Sequence, residues 1–294
     1  MINRRTFIGT TAAVTVSTLF TNKFAWADEE HRIEAIGLQL YTVRKNMKHD
    51  FEGTLAKVAS IGYKEIEFAG YFKHTPQQVR TLIDKYSLTS PACHLDYDVF
   101  TDENLPQQIE SAKVIGQSYL VNPWIPEKQR KTQDHWKRVA ERFNHVGELC
   151  KNAGLEFAYH NHWFEFIPLE GKLPYDTLLE STDPNLVKME MDLCWVTVGG
   201  GDPLKYFDRY PGRFPLVHVK DVKKLPKVTA SGGRDFGSSM KDMTEVGSGI
   251  IDWKRIFAQS EKAGIKHYIV EHDQPRQPFE SIKTSYEYLR QLRW

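Results

Sequence analysis

The chain has 294 residues, of which 40% are hydrophobic, enough for one large α/β domain or two smaller ones. Its 39 basic and 38 acidic residues nearly cancel, giving a formal net charge of +1. Such a chain has no positive field to hold a polyanion, so nucleic acid is not expected as a partner. The three cysteines form no CxxC pair, so no disulfide framework is expected.

The first 27 residues have the pattern of an export signal. Paired arginines precede an apolar run that is too short and too rich in threonine to span a bilayer. The run is followed by an Ala-Trp-Ala cleavage pattern that closes at Ala27. The paired arginines resemble those of twin-arginine signals, which direct the export of folded proteins. We expect cleavage after Ala27, a periplasmic or secreted location, and no stable membrane insertion afterwards; an N-terminal helix of the domain is the alternative.

The rest of the chain, residues 28–294, alternates apolar runs of strand length with amphipathic helical patterns, and eight such pairs can be counted. Glycines between a helix and the next strand, such as Gly116 and Gly154, are typical of short αβ turns. Eight βα units in a mature length of about 265 residues predict an α/β fold, a (β/α)8 TIM barrel in a single domain. An open doubly wound sheet is the alternative, but no GxGxxG motif follows the first strand. The predicted strands are Ile36–Tyr41, Glu65–Phe68, Pro91–Leu95, Ser118–Val121, Glu156–His160, Val187–Asp192, Phe214–Asp221 and His267–Glu271. The predicted helices between or after them include Phe51–Ser60, Pro76–Tyr86, Leu105–Ile115, Gln133–Asn152, one that begins at Asp202-Pro203, and Phe279–Leu292.

One insertion, residues 222–250, is far longer than a usual βα loop. In a barrel, the loops that follow the strands lie over the active face. We therefore expect a lid or specificity loop, with a disordered surface insertion as the alternative.

Residues of metal-ligand types lie at the carboxyl ends of the predicted strands. In a barrel, strands five to eight are neighbours whose carboxyl ends meet at one face. Four side chains from these ends can therefore converge on one centre: His160, Asp192, His218 and Glu271. A mixed set of imidazoles and carboxylates suits Mn²⁺, Zn²⁺, Co²⁺ or Fe²⁺, and suits Mg²⁺ less well.

These residues also carry a resemblance to a known family, the xylose-isomerase-like TIM-barrel superfamily of sugar phosphate isomerases and epimerases. The resemblance spans essentially all of the mature chain, but its motifs do not select a substrate. The motifs are Gly37-Leu38-Gln39-Leu40-Tyr41-Thr42-Val43-Arg44, Tyr159-His160-Asn161-His162, Glu190-Met191-Asp192, Leu216-Val217-His218-Val219-Lys220-Asp221, Val246-Gly247-Ser248-Gly249-Ile250-Ile251-Asp252 and Val270-Glu271.

The resemblance implies a single divalent metal held by Glu, Asp, His and Glu from four strands, with the two glutamates also exchanging the proton. Asp192, His218 and Glu271 match three of these ligands. The fourth place, at the end of strand five, is His160, which departs from the family pattern. Glu165 lies a few residues farther on and is the alternative carboxylate.

A site of this kind favours removal of a proton beside a carbonyl, because a metal stabilises the resulting enediolate. Glu271 or His162 is the expected base, and Lys220 or His94 is expected to assist at an oxygen. Four further residues are expected to contact the substrate, with the tryptophans either stacking on a sugar face or packing beneath loops. These four are Glu67, Trp124, Trp195 and Glu165.

The leading hypothesis is an exported, metal-dependent enzyme that enolises a sugar or keto-sugar and so isomerises or epimerises it. The first alternative is a lyase that performs β-elimination on 3-keto-glycosides. A non-catalytic sugar-binding barrel is also open, whereas a nuclease like endonuclease IV is disfavoured by the near-zero charge and the export signal. The sequence leaves the oligomeric state open.

Overall fold

The computed structural model describes residues 30–227 and 236–294. The predicted export signal, residues 1–27, and the centre of the predicted loop, residues 228–235, lie outside the described residues. Within the described ranges, no helix combines the length and the apolar character that crossing a membrane requires.

Eight parallel strands form a closed barrel in which each strand pairs with its sequence neighbours and the last pairs with the first. The first strand, Ile36–Gln39, closes the barrel because it pairs with both Glu65–Ala69 and His267–Val270. The predicted (β/α)8 barrel is therefore confirmed, and the open doubly wound sheet is excluded. The barrel strands are β1 (Ile36–Gln39), β2 (Glu65–Ala69), β3 (Ala92–His94), β4 (Tyr119–Asn122), β5 (Glu156–His160), β6 (Val187–Asp192), β7 (Leu216–Val219) and β10 (His267–Val270). A separate antiparallel ribbon consists of β8 (Asp221–Val222) and β9 (Met243–Thr244).

Local sequence signals fix most of the surrounding helices. Thr75 caps the helix Pro76–Lys85 through a capping box with Gln78. Asp202 caps the helix Pro203–Arg209, as the sequence predicts. Several short helices have no named counterpart in the sequence prediction, among them Arg44–His49, Pro174–Ser181 and Leu193–Gly199. The last of these starts directly at the end of the strand Val187–Asp192. The helices are α1 (Arg44–His49), α2 (Phe51–Ile61), α3 (Pro76–Lys85), α4 (Leu105–Ile115), α5 (Gln133–Asn152), α6 (Pro174–Ser181), α7 (Leu193–Gly199), α8 (Pro203–Arg209), α9 (Phe236–Asp242), α10 (Trp253–Phe257), α11 (Ser260–Ala263) and α12 (Pro278–Gln291).

The glycines that end helices have the backbone conformation that their position requires. Gly116 and Gly264 have φ angles of 88° and 81°, in the left-handed region, at the ends of α4 and α11. A side chain there would strain the backbone, so these two glycines allow the chain to turn directly into β4 and β10.

The barrel interior holds a small apolar cluster with a polar layer above it. The apolar side chains come from β3, β4, β5, β7 and β10, and they are Ala92, Tyr119, Val121, Ala158, Leu216 and Ile269. Side chains two residues apart on a strand face the same side. His94, His160, His218 and Glu271 each follow one of these apolar residues by two positions, so the apolar layer forms the floor beneath them.

The segment after β7 is fastened by one buried carboxylate, that of Asp221. This carboxylate accepts hydrogen bonds from five N–H groups, those of the Val222, Gly247, Gly249 and Ile251 backbone and the Trp253 indole. A Cβ atom at Gly249 would lie 2.0 Å from Asp221 Oδ1, so only glycine fits there. The glycine-rich stretch near residue 248 therefore returns the insertion to the barrel. No described residue of 222–250 lines the cavity at the barrel mouth, and its role as a lid stays a prediction.

Candidate active site

Four side chains predicted to converge lie together at the barrel mouth. His160, Asp192, His218 and Glu271 are all buried, and each offers one ligand atom such that these atoms lie within 4.8 Å of one another. They come from the ends of β5, β6, β7 and β10, which are adjacent around the barrel. The closed sheet is thus what brings residues 160 to 271 to one point.

The two imidazoles of this group face carboxylates through both of their ring nitrogens. Toward the mouth, His160 Nε2 lies 3.7 Å from Asp192 Oδ2, and His218 Nδ1 lies 2.8 Å from Glu271 Oε2. On the other side, His160 Nδ1 lies 3.1 Å from Glu190 Oε2, and His218 Nε2 lies 2.7 Å from Glu67 Oε2. Histidines that bind metals usually have their second nitrogen held by a carboxylate in this way.

A second set of polar residues contacts the mouth group. His94 Nε2 lies 2.6 Å from Glu190 Oε2 and 3.2 Å from Glu67 Oε2. Gln39 Nε2 donates a 2.7 Å hydrogen bond to the same Glu67 oxygen. Together with His160 and His218, His94 and Glu190 form a second group with metal-ligand atoms within 4.8 Å.

Sequence reasoning missed Glu190 and Gln39 as members of the site. Glu190 precedes Asp192 by two residues on the same strand, so both side chains face the barrel interior. This spacing of two residues on one strand is the sequence signal that could have identified Glu190 as a member of the site.

Burial sets the protonation of several of these groups. Burial and the neighbouring Glu190 raise the pKa of Glu67 to about 7, and burial raises the pKa of Asp192 to about 6. Burial and the charge of His218 lower the pKa of His160 to about 3. His160 is therefore a neutral imidazole at pH 7, the form that binds metals.

The donor set fits a divalent metal ion. Four buried carboxylates, those of Glu67, Glu190, Asp192 and Glu271, converge here beside Lys220 and the imidazoles. Crowding of carboxylates in a dry interior is unfavourable unless positive charge balances it. Neutral nitrogen and carboxylate oxygen donors together suit Mn²⁺, Zn²⁺, Co²⁺ or Fe²⁺.

Lys220 links three acidic side chains at the mouth. Its Nζ lies 2.7 Å from Glu271 Oε2, 2.9 Å from Asp192 Oδ2 and 3.2 Å from Asp273 Oδ2. Burial alone would lower the pKa of Lys220, but these carboxylates raise it well above its usual value. Lys220 therefore stays an ammonium group within the site.

A cavity of about 590 Å³ opens above these residues. Predicted residues that line it are His94, His160, His162, Lys220, Glu271 and Trp124. His162 Nδ1 is buried and has no hydrogen-bond partner among the described residues. Burial and the nearby His160 lower the pKa of His162 well below its usual value, so its ring is neutral.

Three residues predicted to contact the substrate do not line the cavity in the described structure: Glu67, Glu165 and Trp195. Glu67 instead contacts His218, with Glu67 Oε2 lying 2.7 Å from His218 Nε2. The Glu165 carboxylate is fully buried and accepts hydrogen bonds from the Tyr159 hydroxyl and from the His162 N–H at 3.0 Å. Trp195 is buried beneath Lys220, whose Nζ lies 5.6 Å from the ring centroid. The structure thus places His160, and not Glu165, among the grouped metal-ligand atoms.

Comparison with known proteins agrees with this architecture. Residues 55–292 match the family model described as xylose isomerase-like TIM barrel. The chain belongs to this family. The resemblance predicted from the motifs is thereby confirmed for most of the barrel.

Inosose dehydratase of Geobacillus kaustophilus is 25% identical to this chain over 267 residues, covering 81% of this chain and 86% of that protein. A solved sugar phosphate isomerase/epimerase from Parabacteroides distasonis ATCC 8503 has a TM-score of 0.72 and 27% identity, covering 88% of this chain and 98% of that one. The IOLI protein, solved with a bound zinc atom, has a TM-score of 0.66 at 16% identity, covering 86% and 95%. At that identity, the last comparison shows the fold alone.

Proposed function

We propose that this protein is a divalent-metal-dependent lyase acting on a cyclic polyhydroxy ketone. The enzyme removes a proton beside the ketone and expels the substituent on the next carbon. The observation that carries the proposal is a carboxylate, Glu271, placed 2.7 Å from the ammonium group of Lys220 in a cavity beside the grouped ligands. Relatives named inosose dehydratase match most of this chain and support a lyase.

His160, Asp192, His218 and Glu271 are the residues that would hold the metal. The ion would supply Lewis acidity for the carbonyl oxygen and lower the cost of removing the neighbouring proton. Glu190 and Glu67 contact the other ring nitrogens of His160 and His218, respectively. The remaining steps rest on the side chains that line the cavity.

Glu271 is positioned to accept the proton. Burial would raise the pKa of this carboxyl, but the charges of Lys220 and His218 hold it well below its usual value, so it is ionised at neutral pH. A carboxylate has two oxygens and can use one as a ligand and the other as a base. Neutral His162 is the second acceptor that faces the cavity. Lys220 stays protonated and stabilises negative charge that develops on substrate oxygens.

The geometry favours elimination over epimerisation. The resemblance implies two proton-exchanging glutamates in sugar epimerases, one of them from strand five. Here the end of β5 carries His160, and Glu165 is buried against Tyr159 outside the cavity. A single carboxylate base is sufficient for elimination, because the carbanion is consumed by loss of the leaving group. An isomerase or epimerase is the second candidate, supported by the name of the 27% identical Parabacteroides structure.

The test is to load the protein with Mn²⁺ or Zn²⁺ and incubate it with an inosose and, separately, with free ketoses. Loss of water with appearance of an unsaturated or dicarbonyl product, followed by ultraviolet absorbance and mass, supports the lyase. A change of configuration or of carbonyl position without loss of a group would refute it. Glu271→Gln with measured metal content separates loss of the base from loss of the ion.

A further inference from the structure

The cavity has two chemically different walls. Among the described residues, every lining residue from the ends of β5, β6, β7 and β10 is ionisable: His160, His162, Lys220, Glu271 and Asp273. The apolar lining residues all follow β1, β2, β3 or β4, and they include Tyr41, Tyr71, Leu95, Val99, Pro123 and Trp124. The same half also carries His94, Asp96 and Gln108. The barrel therefore separates a reactive wall, which is entirely ionisable, from an apolar wall, on which most but not all lining residues are apolar.

The cavity is also larger than one ring needs. Its volume of about 590 Å³ lies within the roughly 300–1,000 Å³ of pockets that hold drug-sized ligands. A single six-membered ring against the reactive wall would leave the apolar wall uncovered. The unfilled part is the part that apolar side chains surround.

Two aromatic side chains on this wall are exposed, yet held in place. Trp124 is 40% exposed and Tyr41 is 41% exposed, although most large apolar side chains of the described chain are buried. The Arg44 guanidinium lies 3.9 Å from the Tyr41 ring centroid and donates to the backbone oxygens of Tyr41 and Asp273. Trp124 packs edge to face against Phe164 at 4.9 Å, with Arg130 at 5.1 Å from its ring.

Exposed aromatic rings fixed by their neighbours are typical of binding surfaces, because little conformational entropy is lost when a ligand stacks on them. A flat apolar ring face is the chemistry that such a surface recognises. A water molecule, as the leaving group, would make no contact of this kind with the aromatic rings.

We propose that the ends of β1–β4 form a subsite for a ring-bearing leaving group, so that the substrate is a 3-keto-glycoside whose aglycone contacts Trp124 and Tyr41. This inference rests on the proposed lyase function and names its substrate class. The base takes the proton from C2, the electron pair forms the C1–C2 double bond, and the C1–O bond breaks. The aglycone leaves as an alcohol after gaining a proton, so the step needs no oxidant or reductant.

Binding is measured first, with glucosides that lack the ketone and cannot eliminate. Protein loaded with Mn²⁺ is titrated with methyl, phenyl and glucosyl β-glucosides by calorimetry. We expect one or both ring-bearing ligands to bind about 10-fold more tightly than the methyl glucoside, and the comparison of phenyl with glucosyl distinguishes an aryl group from a second sugar. Trp124→Ala should remove this difference, and Trp124→Phe should restore most of it. Val114→Ala, at another exposed apolar side chain that does not line the cavity, is the matched control.

Equal binding of all three glucosides by the wild type, or an unchanged preference in Trp124→Ala, would overturn the subsite. Turnover is then measured with the corresponding 3-keto-glucosides by release of the aglycone. Trp124→Ala should lower kcat/KM about 10-fold more for the ring-bearing substrate that the wild type prefers than for the methyl substrate. A ring preference in binding without release of any aglycone would instead refute the lyase function, so the two failures are distinguishable.

Discussion

Replacing Glu190 by glutamine should weaken metal binding although Glu190 is not one of the four mouth ligands. Its Oε2 atom lies 2.6 Å from His94 Nε2, 3.1 Å from His160 Nδ1 and 3.3 Å from His218 Nε2. Glutamine keeps the size of the side chain, but it removes the negative charge and presents an N–H₂ group. The charged acceptor that orients the imidazoles of His160 and His218 would then be replaced by a neutral amide, whose oxygen is a weaker acceptor.

The magnitude follows from how many ligands this one oxygen supports. Mutation of an outer carboxylate typically costs about 10–100-fold in metal affinity. Glu190 contacts two mouth ligands, so we expect the upper end, about 100-fold, which is about 2.7 kcal/mol. The assay is a competitive titration of Zn²⁺ or Mn²⁺ against a fluorescent chelator.

Glu165→Gln is the matched control, because Glu165 is an equally buried carboxylate outside the grouped ligands. Its metal affinity should equal that of the wild type. Thermal unfolding in the presence of a chelator checks that both variants are folded. Unchanged metal affinity in Glu190→Gln, or an equal loss of metal affinity in Glu165→Gln, would refute the conclusion that Glu190 supports the metal ligands.

Four further predictions concern three single side chains and the N-terminal segment. His160→Ala should lose bound metal while staying folded by circular dichroism; wild-type metal content would exclude His160 as a ligand and point to Glu165 or His162. Burial raises the pKa of Glu165 from 4.5 to about 7, so its contribution to stability is complete below pH 4.5 and is lost as pH rises through 7. The metal-free wild type should therefore lose about 3 kcal/mol relative to Glu165→Gln between pH 4.5 and 8, and parallel unfolding curves would contradict this. Asp221→Asn should reduce the free energy of unfolding by about 3 kcal/mol, because its amide would meet N–H donors; denaturant unfolding measures the loss, and an unchanged midpoint would count against the fastening role. We also propose that residues 1–27 are an export signal, so N-terminal sequencing of exported protein should begin at Asp28, and cytoplasmic protein starting at Met1 would contradict it.

The barrel could be predicted from the sequence because the patterns that indicate its strands and helices are local. Alternation of strands and helices has a period that a linear pattern records, and helix ends are marked by residues such as Thr75 and Gly116. Helix α7 was not predicted because its sequence, Leu193–Gly199, is almost entirely apolar and therefore lacks a helical period. Its start depends on Asp192, whose carboxylate accepts the Trp195 N–H at 2.8 Å.

The candidate site could be predicted only in part from the sequence. Parallel strands end at one face, so the grouping of His160, Asp192, His218 and Glu271 followed from strand order alone. The contacts of Glu67 and Glu190 could not be predicted, because they depend on which ring nitrogen of His160 or His218 faces which strand. Only the closed barrel determines that orientation. Closure likewise decides that Glu165 is buried against Tyr159 while Trp124 stays exposed at the mouth. Strand identity and strand ends are properties of the linear sequence, whereas side-chain depth and the division of the cavity into two walls arise from distant strands meeting in space.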